Sequence, residues 1–317
     1  MDYTKQFPKG YIKEQQYKPK GIVISLYDFT GEALKPWADD GYECYAFDIQ
    51  HDPHETTKDY YFSNGGSIEY VHADLHDQKT LTQIHDDFYT RQMDGGPRVV
   101  FGMSFVVCTH LAVSGASHYA AKAKINPNFQ TDAANYAIWC ADLFDSMDIP
   151  YFIENPVSVL ATLWRKPNYY FHPYEYGGYI SYSEAEHPRW PEYIAPMDAY
   201  TKKTCLWTGG GFVMPQKVAV DKPTGYSTQH LKLGGKSQRT KDIRSATPRG
   251  FAIAVHDANK VIDNDHFLMR EAFDSNGKQI ERKMIHYAEA TDEEKLAEFD
   301  KATDDAIRDK LETEGVV

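Results

Sequence analysis

The chain has 317 residues, of which 42% are hydrophobic and 14% aromatic; this composition is ample for a large core and excludes a disordered chain. The formal net charge of −12 counts against a polyanionic partner. The four cysteines are widely spaced, without a CxxC pair or a Cys/His cluster at zinc spacing, so we expect reduced thiols and no metal. Residues 1–20 are polar, and no later segment reaches the roughly 18 apolar residues of a membrane span, so we expect a cytoplasmic protein without membrane contact.

The first half of the chain alternates short apolar runs with segments of helical periodicity. Strands are predicted at residues 21–26, 42–48, 68–73, 99–101 and 151–153. Helices are predicted at residues 32–40, 78–93 and 131–147. This alternation is typical of a doubly wound, mostly parallel α/β sheet of the Rossmann-like type, in which ligands bind at the carboxyl ends of the strands.

The pattern becomes irregular near Trp164, where Tyr, Pro and Gly are abundant and no periodicity is clear. An amphipathic helix is predicted again at 250–262, and a charged helix at 289–314. We therefore divide the chain into three parts. A ligand-binding and catalytic domain spans 1–160, a small loop-rich region spans 161–245, and C-terminal helices over 246–317 return to the first domain.

Basic residues are concentrated between Thr201 and Arg249. Ten Lys or Arg stand there against two acids, a surplus of eight that leaves about −20 for the rest of the chain. Because aromatic residues are interleaved with these charges, the segment could form a surface that faces phosphates. A solvated loop region with scattered lysines explains the same composition equally well.

The first predicted strand–helix–strand unit carries features of a nucleotide site. A glycine turn after a strand lets the backbone approach a ligand, and an acid after the next strand can accept hydrogen bonds from ribose hydroxyls; Gly31 and Asp48 occupy these positions. The GxGxxG phosphate fingerprint is missing, and Asp28 and Glu32 would repel a pyrophosphate. The pattern therefore favours a nucleoside that carries an amine or a sulfonium. Asp74 could accept from an adenine amino group, although such acids also serve as helix caps.

A thiol and a carboxyl group follow the fourth and fifth predicted strands. Cys108 follows the strand at 99–101, and Glu154 comes directly after the strand at 151–153. A free cysteine is most often a small hydrophobe in a core, and a carboxyl group in Glu-Asn-Pro can simply stabilise a turn. On spacing alone, a structural and a catalytic interpretation of the pair both stay open.

In this order the segments resemble the DNA (cytosine-5) methyltransferase family, including its short phage-type members. The stretch 25–31 is similar to the family's first S-adenosylmethionine motif, and Asp48 and Asp74 match the acids of the second and third motifs. The stretch 105–116 is similar to the nucleophile loop, and the stretch 154–156 to the Glu-Asn motif. A looser similarity to the last family motif lies at 244–252.

The resemblance implies a class I S-adenosylmethionine-dependent enzyme that modifies C5 of cytosine in DNA, most simply to 5-methylcytosine, in a bacterial or phage-infected cell. Cys108 would add to C6 of the flipped base while Glu154 hydrogen-bonds N3. S-adenosylmethionine or a related sulfonium donor would be held by Tyr27, Asp28, Phe29, Gly31, Asp48, Ile49, Asp74 and Leu75. The target or its phosphates would be contacted by Asn155, Pro156, Lys202 and Lys203.

The chain also departs from the family pattern. Val106 and Val107 stand where the family has prolines, so the loop lacks the φ restraint that proline supplies. No Gln-x-Arg-x-Arg motif is present; Lys202 and Lys203 stand at about its distance. These departures leave three alternatives: a different transferred group, a nucleotide or RNA substrate, and a catalytically weak DNA-binding protein with the same fold.

Overall fold

The computed structural model describes residues 19–61, 66–225, 227–234, 237–261, 267–273 and 279–286. The chain divides into two compact units, residues 1–260 and residues 261–317. None of the helices in the described ranges has the length and apolarity needed to cross a membrane.

A mixed sheet of eight strands forms the centre of the first unit. Its strands are β1 (Ile22–Leu26), β2 (Glu43–Asp48), β3 (Thr57–Tyr61), β4 (Gly66–His72), β5 (Val99–Ser104), β6 (Tyr151–Pro156), β7 (Tyr169–Phe171) and β8 (Thr204–Gly209). Their spatial order is β3-β4-β2-β1-β5-β6-β8-β7. Strands β4, β2, β1, β5 and β6 are parallel, β3 pairs antiparallel with β4, and β8 pairs antiparallel with both β6 and β7.

Helices cover both faces of this sheet. They are α1 (Lys35–Asp39), α2 (Gln78–Met93), α3 (Tyr119–Ile125), α4 (Phe129–Ser146), α5 (Leu160–Leu163), α6 (Thr228–Lys232), α7 (Gln238–Ser245) and α8 (Arg249–Asn259). Apolar residues of α2 and α4 pack into one core with the sheet. On the other side, Trp37 of α1 stacks on Phe101 at 4.9 Å between ring centroids, and Phe251 of α8 meets Phe152 at 5.9 Å. This arrangement confirms the predicted α/β class with a mostly parallel sheet.

The sequence prediction missed where the small region belongs. Residues 161–245 supply β7 and β8 to the main sheet, and the compact unit extends to residue 260, so neither 160 nor 245 is a boundary of the fold. The reason is physical: β8 is a single short strand whose pairing partner, β6, lies about 50 residues earlier in the chain, and periodicity reports only local order.

Two helix predictions also differ from the structure. The helix predicted at 32–40 is reduced to Lys35–Asp39, because residues 31–34 form a turn and Pro36 sits at the start of the helix. The helix predicted at 250–262 ends at Asn259.

In the second unit, β9 (Phe267–Phe273) and β10 (Gln279–His286) form an antiparallel pair where we expected helices. The charged helix predicted at 289–314 lies outside the described residues.

Candidate active site

The residues singled out from the sequence lie at the carboxyl ends of the parallel strands. The loop after β1 carries residues 27–31, β2 ends at Asp48, and Asp74 follows β4. Cys108 lies in the loop after β5, and Glu154 lies in the second half of strand β6. Since parallel strands end at one edge of a sheet, the fold collects all of these groups along that edge.

The carboxylate of Asp28 holds the loop after β1 together. It is 4% exposed and accepts hydrogen bonds from Ser25 Oγ at 2.8 Å, Gly31 N at 2.8 Å and Thr30 N at 3.1 Å. Burial raises the pKa of Asp28, and these hydrogen bonds oppose the shift. Asp28 therefore builds the turn, and its contact with a ligand stays a prediction.

Gly31 is required by the turn and by a neighbouring ring. Its φ is +66°, and a Cβ at this position would stand 2.9 Å from the ring of Tyr70. The ring of Tyr70 thus lies against the backbone of Gly31, where the sequence predicted a ligand. Phe29, in the same loop, is 40% exposed and stacks on His51 with 5.5 Å between ring centroids.

Tyr27 and Leu75 tie the loop after β1 to the loop after β4. The Tyr27 hydroxyl donates to the Leu75 carbonyl at 2.9 Å, and burial raises the pKa of Tyr27 above its usual range. Tyr27 also has a positive φ of 58°, an uncommon conformation for a non-glycine residue. These two residues form a wall of the site.

Asp48 and Ile49 lie at the end of β2 and Asp74 follows β4, and these three residues are called the nucleoside rim after the ligand predicted from the sequence. The carboxylate of Asp48 accepts at Oδ1 from Gln50 N at 2.8 Å and Gln50 Nε2 at 3.1 Å. Ile49 is 55% exposed, and Asp74 is exposed with its carboxylate on His76 N at 3.1 Å. Two carboxylates can accept from ribose hydroxyls and an exocyclic amine, and the apolar side chain can cover a base.

Glu32 lies beside the loop after β1 and is paired with two cations. It is 2% exposed, accepts from Lys35 Nζ at 2.9 Å and lies 3.5 Å from Arg189 Nε. Its charge is therefore compensated within the protein, and the preference for a sulfonium or an amine stays a prediction from the sequence. Among the described residues there is no group of three or more His, Cys, Asp or Glu placed to hold a metal ion.

Cys108, Glu154 and Lys202 influence one another electrostatically in the second half of the site. Burial raises the pKa of the Cys108 thiol, the negative charge of Glu154 raises it further, and Lys202 lowers it. Burial also raises the pKa of the Glu154 carboxyl, and Lys202 opposes that shift. Each of the three groups therefore lies within the electrostatic field of the other two.

The antiparallel course of β8 explains why Lys202 reaches this point. Glu154 of β6 pairs with Leu206 of β8, so the residues just before β8 lie beside the carboxyl end of β6. Lys202 Nζ donates to the Arg244 carbonyl at 3.0 Å. Lys203 follows a different course, with its Nζ 4.7 Å from the centroid of the Tyr170 ring. The structure thus separates the two lysines that the sequence placed together.

A small cleft opens beside Glu154 and Lys202. Its other lining residues are Phe105, Phe171, Ser245, Ala246, Thr247, Pro248 and Phe251. Two of the three rings, Phe171 and Phe251, are buried and stack on each other with 4.0 Å between centroids, so the cleft places one acid and one ammonium group against an aromatic wall.

The loop that carries Cys108 is fixed by hydrogen bonds to its carbonyl groups. Asn155 Nδ2 donates to Val106 O at 2.9 Å, Lys122 Nζ to Thr109 O at 2.7 Å, and Tyr119 Oη to Leu111 O at 2.9 Å. A backbone bond from Val159 N to Leu111 O, at 3.0 Å, adds a further tie. These contacts supply positioning that proline supplies elsewhere.

Two predicted substrate contacts have structural roles here. Asn155 is fully buried and points to the nucleophile loop, where its Oδ1 has no hydrogen-bond partner among the described residues. Pro156 ends β6 opposite Thr204. The roles of Asn155 and Tyr119 could not be predicted from the sequence, because each depends on a side-chain hydrogen bond to a backbone carbonyl group that no sequence pattern marks.

Comparison with known proteins adds no family assignment. No family model matches the chain, and a search of curated proteins found no match.

Proposed function

We propose that the protein is an enzyme that modifies C5 of cytosine in DNA, using S-adenosylmethionine or a related sulfonium donor and a covalent bond between Cys108 and C6. Methylation is the simplest form of this reaction. The observation that carries the proposal is that Glu154 and Lys202 line one cleft and both act electrostatically on the thiol of Cys108, in the loop after the neighbouring strand β5, at the same sheet edge as Asp48 and Asp74. The fold would then be of the class I methyltransferase type, in a bacterial or phage-infected cell.

The two raised pKa values have complementary consequences for such chemistry. The raised pKa of Glu154 makes this carboxyl group easier to protonate than a free glutamate, and in its protonated form it can donate a hydrogen bond to N3 of cytosine. A neutral Glu154 no longer repels a thiolate, and Lys202 stabilises the negative charge on Cys108. Binding of the base at Glu154 would therefore help to activate the nucleophile.

The proposed reaction consists of addition at C6, carbon transfer to C5 and elimination. The Cys108 sulfur forms a bond to C6, and the C5=C6 electron pair becomes available at C5 while Glu154 hydrogen-bonds N3. When bound, S-adenosylmethionine would supply an electrophilic carbon on a sulfonium; the bond from this carbon to sulfur breaks as the carbon joins C5, and S-adenosylhomocysteine leaves as a neutral thioether. After C5 has gained this carbon, a base removes the C5 proton, the C5=C6 bond re-forms and the thiolate leaves.

The charge distribution supports a polyanionic substrate in spite of the acidic total. The surplus of eight basic residues in 201–249 includes Lys202 and the exposed Arg244, both near the cleft. The rest of the chain carries the compensating acids, so the positive field is confined to one segment.

A direct test is mass spectrometry of nucleosides from duplex DNA incubated with the protein and S-adenosylmethionine. We expect 5-methylcytosine, and no product with Cys108→Ser. A different cytosine adduct would support another transferred group. Product only on RNA or free nucleotide would support the second alternative, and DNA binding without product the third. An unchanged modification rate in Cys108→Ser would contradict the covalent mechanism.

A trapping experiment isolates the attacking sulfur. In a duplex with 5-fluorocytosine, incubated with S-adenosylmethionine, carbon transfer leaves fluorine at C5 in place of the proton that must depart, so the protein should stay bound through C6 in a denaturing gel. The matched control is Cys205→Ser, which changes another buried thiol in the field of Glu154. We expect the adduct with the wild type and Cys205→Ser but not with Cys108→Ser.

A further inference from the structure

Helix α7 contacts both halves of the candidate site. Its first residue, Gln238, donates from Nε2 to Gln50 Oε1, and Gln50 donates from its own Nε2 to Asp48 Oδ1 at 3.1 Å. At the other end of the helix, the Arg244 carbonyl accepts the bond from Lys202 Nζ at 3.0 Å. An eight-residue helix is about 12 Å long. Helix α7 therefore connects Asp48 of the nucleoside rim, through Gln50, to Lys202 of the cleft.

Gln50 occupies the carboxylate that ribose hydroxyls would use. Asp48 Oδ1 accepts both the backbone N–H and the side-chain amide of Gln50. A diol that binds both carboxylate oxygens competes with the side-chain amide, which can rotate away, while the backbone N–H is fixed by the turn. Once the amide turns, Gln50 no longer presents Oε1 to Gln238.

The opposite end of α7 controls the space beside Glu154. Ser245 and Ala246 line the cleft, and Lys202 is held against the last turn of the helix. Ile243 is fully buried in a small cluster that also holds Ala246, so the helix and this part of the cleft wall are packed together. A displacement of α7 as one body would change the width of the cleft and free an ammonium N–H of Lys202 for the substrate.

We propose that α7 couples the nucleoside site to the base site, with Gln238 as the positioning residue that keeps the helix in its closed place. This inference rests on the proposed function. Nucleoside binding at Asp48 releases Gln238, and the movement of α7 widens the cleft and frees Lys202. By linkage, base binding in the cleft tightens nucleoside binding by the same factor.

The chain offers a closely matched control for a test of Gln238. Gln238 Nε2 also donates to Asp242 Oδ1 at 2.8 Å, four residues later on α7. On α2, exposed Gln83 makes the same pair with Asp87 at 2.7 Å, far from the site. Gln238→Ala and Gln83→Ala therefore lose the same local helix contact, and only Gln238→Ala loses the contact with Gln50.

The experiment measures the affinity for a cytosine-containing DNA duplex at fixed salt, with and without S-adenosylhomocysteine. In the wild type and in Gln83→Ala we expect S-adenosylhomocysteine to tighten duplex binding by about fivefold or more. In Gln238→Ala we expect a factor near one, because α7 is already released. Hydrogen exchange should show faster exchange of α7 amides when S-adenosylhomocysteine binds the wild type.

Two different failures are distinguishable. Equal tightening in the wild type and Gln238→Ala, or exchange in α7 that does not respond to S-adenosylhomocysteine, would overturn the coupling while the cofactor site stands. Absence of S-adenosylhomocysteine binding to the wild type would overturn the proposed function, and this inference with it.

Discussion

The two halves of the candidate site use their carboxyl groups in different ways. At the nucleoside rim, Asp28 and Asp48 satisfy backbone N–H groups two or three residues away, so their loops are built from local contacts. At the cleft, Glu154 and Cys108 lie about 46 residues apart and depend on Lys202 from a third segment. Strand-end acids are therefore poor markers of ligand contacts, whereas a buried acid beside a distant thiol has no such local explanation.

The largest effect is expected at the cleft. Glu154→Gln removes the acid that would hydrogen-bond N3, and we expect the rate of cytosine modification to fall by about 10²–10⁴-fold. Glu186→Gln, an exposed carboxyl in the small region, serves as the control and should keep its rate. Single-turnover label transfer measures both. A loss of less than tenfold would assign Glu154 to structure instead of chemistry.

The next test separates two acids within the rim. Asp28→Ala leaves buried donors without an acceptor, so we expect the free energy of unfolding to fall by about 2–3 kcal/mol in urea. Asp74→Ala, at an exposed position, should change stability by less than about 0.5 kcal/mol. For the affinity for S-adenosylhomocysteine we expect the larger loss in Asp74→Ala, because only this variant removes an acceptor that is available to the ligand. If both variants lose stability equally, the distinction between these acids is wrong.

Asn155→Ala tests the support of the nucleophile loop. The variant leaves the Val106 carbonyl without its donor, and we expect a loss of about 1–2 kcal/mol in the free energy of unfolding. Amides of the loop at 108–112 should also exchange faster with solvent. Asn128→Ala, at an exposed helix start, is the comparison and should leave the exchange of that loop unchanged.

The pH dependence of thiol alkylation reports the field at Cys108. Burial and Glu154 raise the pKa of this thiol, so the reactive thiolate is scarce at neutral pH and alkylation should accelerate above the usual cysteine range. Glu154→Gln removes the negative charge, which lowers the pKa of Cys108 and moves the rise to lower pH. Mass spectrometry after iodoacetamide treatment identifies the site. No shift in the profile would show that the two groups do not interact.

The smallest expected effect concerns the missing proline. Val107 has a φ of −53°, within the range of proline, and its N–H donates no hydrogen bond among the described residues. Val107→Pro should therefore stabilise the protein by about 0.4–1 kcal/mol through the unfolded state. Val113→Pro is the contrast, since it removes the bond from Val113 N to Val157 O and should destabilise. Thermal unfolding of the two variants should shift in opposite directions.

Local chemistry explains what could be read from the sequence. The core strands and the helices α2 and α4 follow from apolar periodicity, and the edge of the sheet follows from their alternation. The role of Asp28 was also within reach, because an Asp that caps N–H groups two and three residues on is a common turn motif.

Distant contacts explain what was missed. The separation of Lys202 from Lys203 depends on the pairing of β8 with β6, and the inward course of Asn155 depends on the Val106 carbonyl. Neither contact produces a periodic pattern in the sequence, since each joins segments that lie about 50 residues apart.

The placement of β8 between β6 and β7 has a consequence for any shortened form of the protein. A chain that stopped near residue 200 would contain Cys108 and Glu154 but not the strand that pairs with β6. The apolar strand β6 would then become an open edge, with backbone N–H and C=O groups available to other chains. Such a fragment would aggregate before it could react, so the chemistry depends on synthesis of the chain through β8.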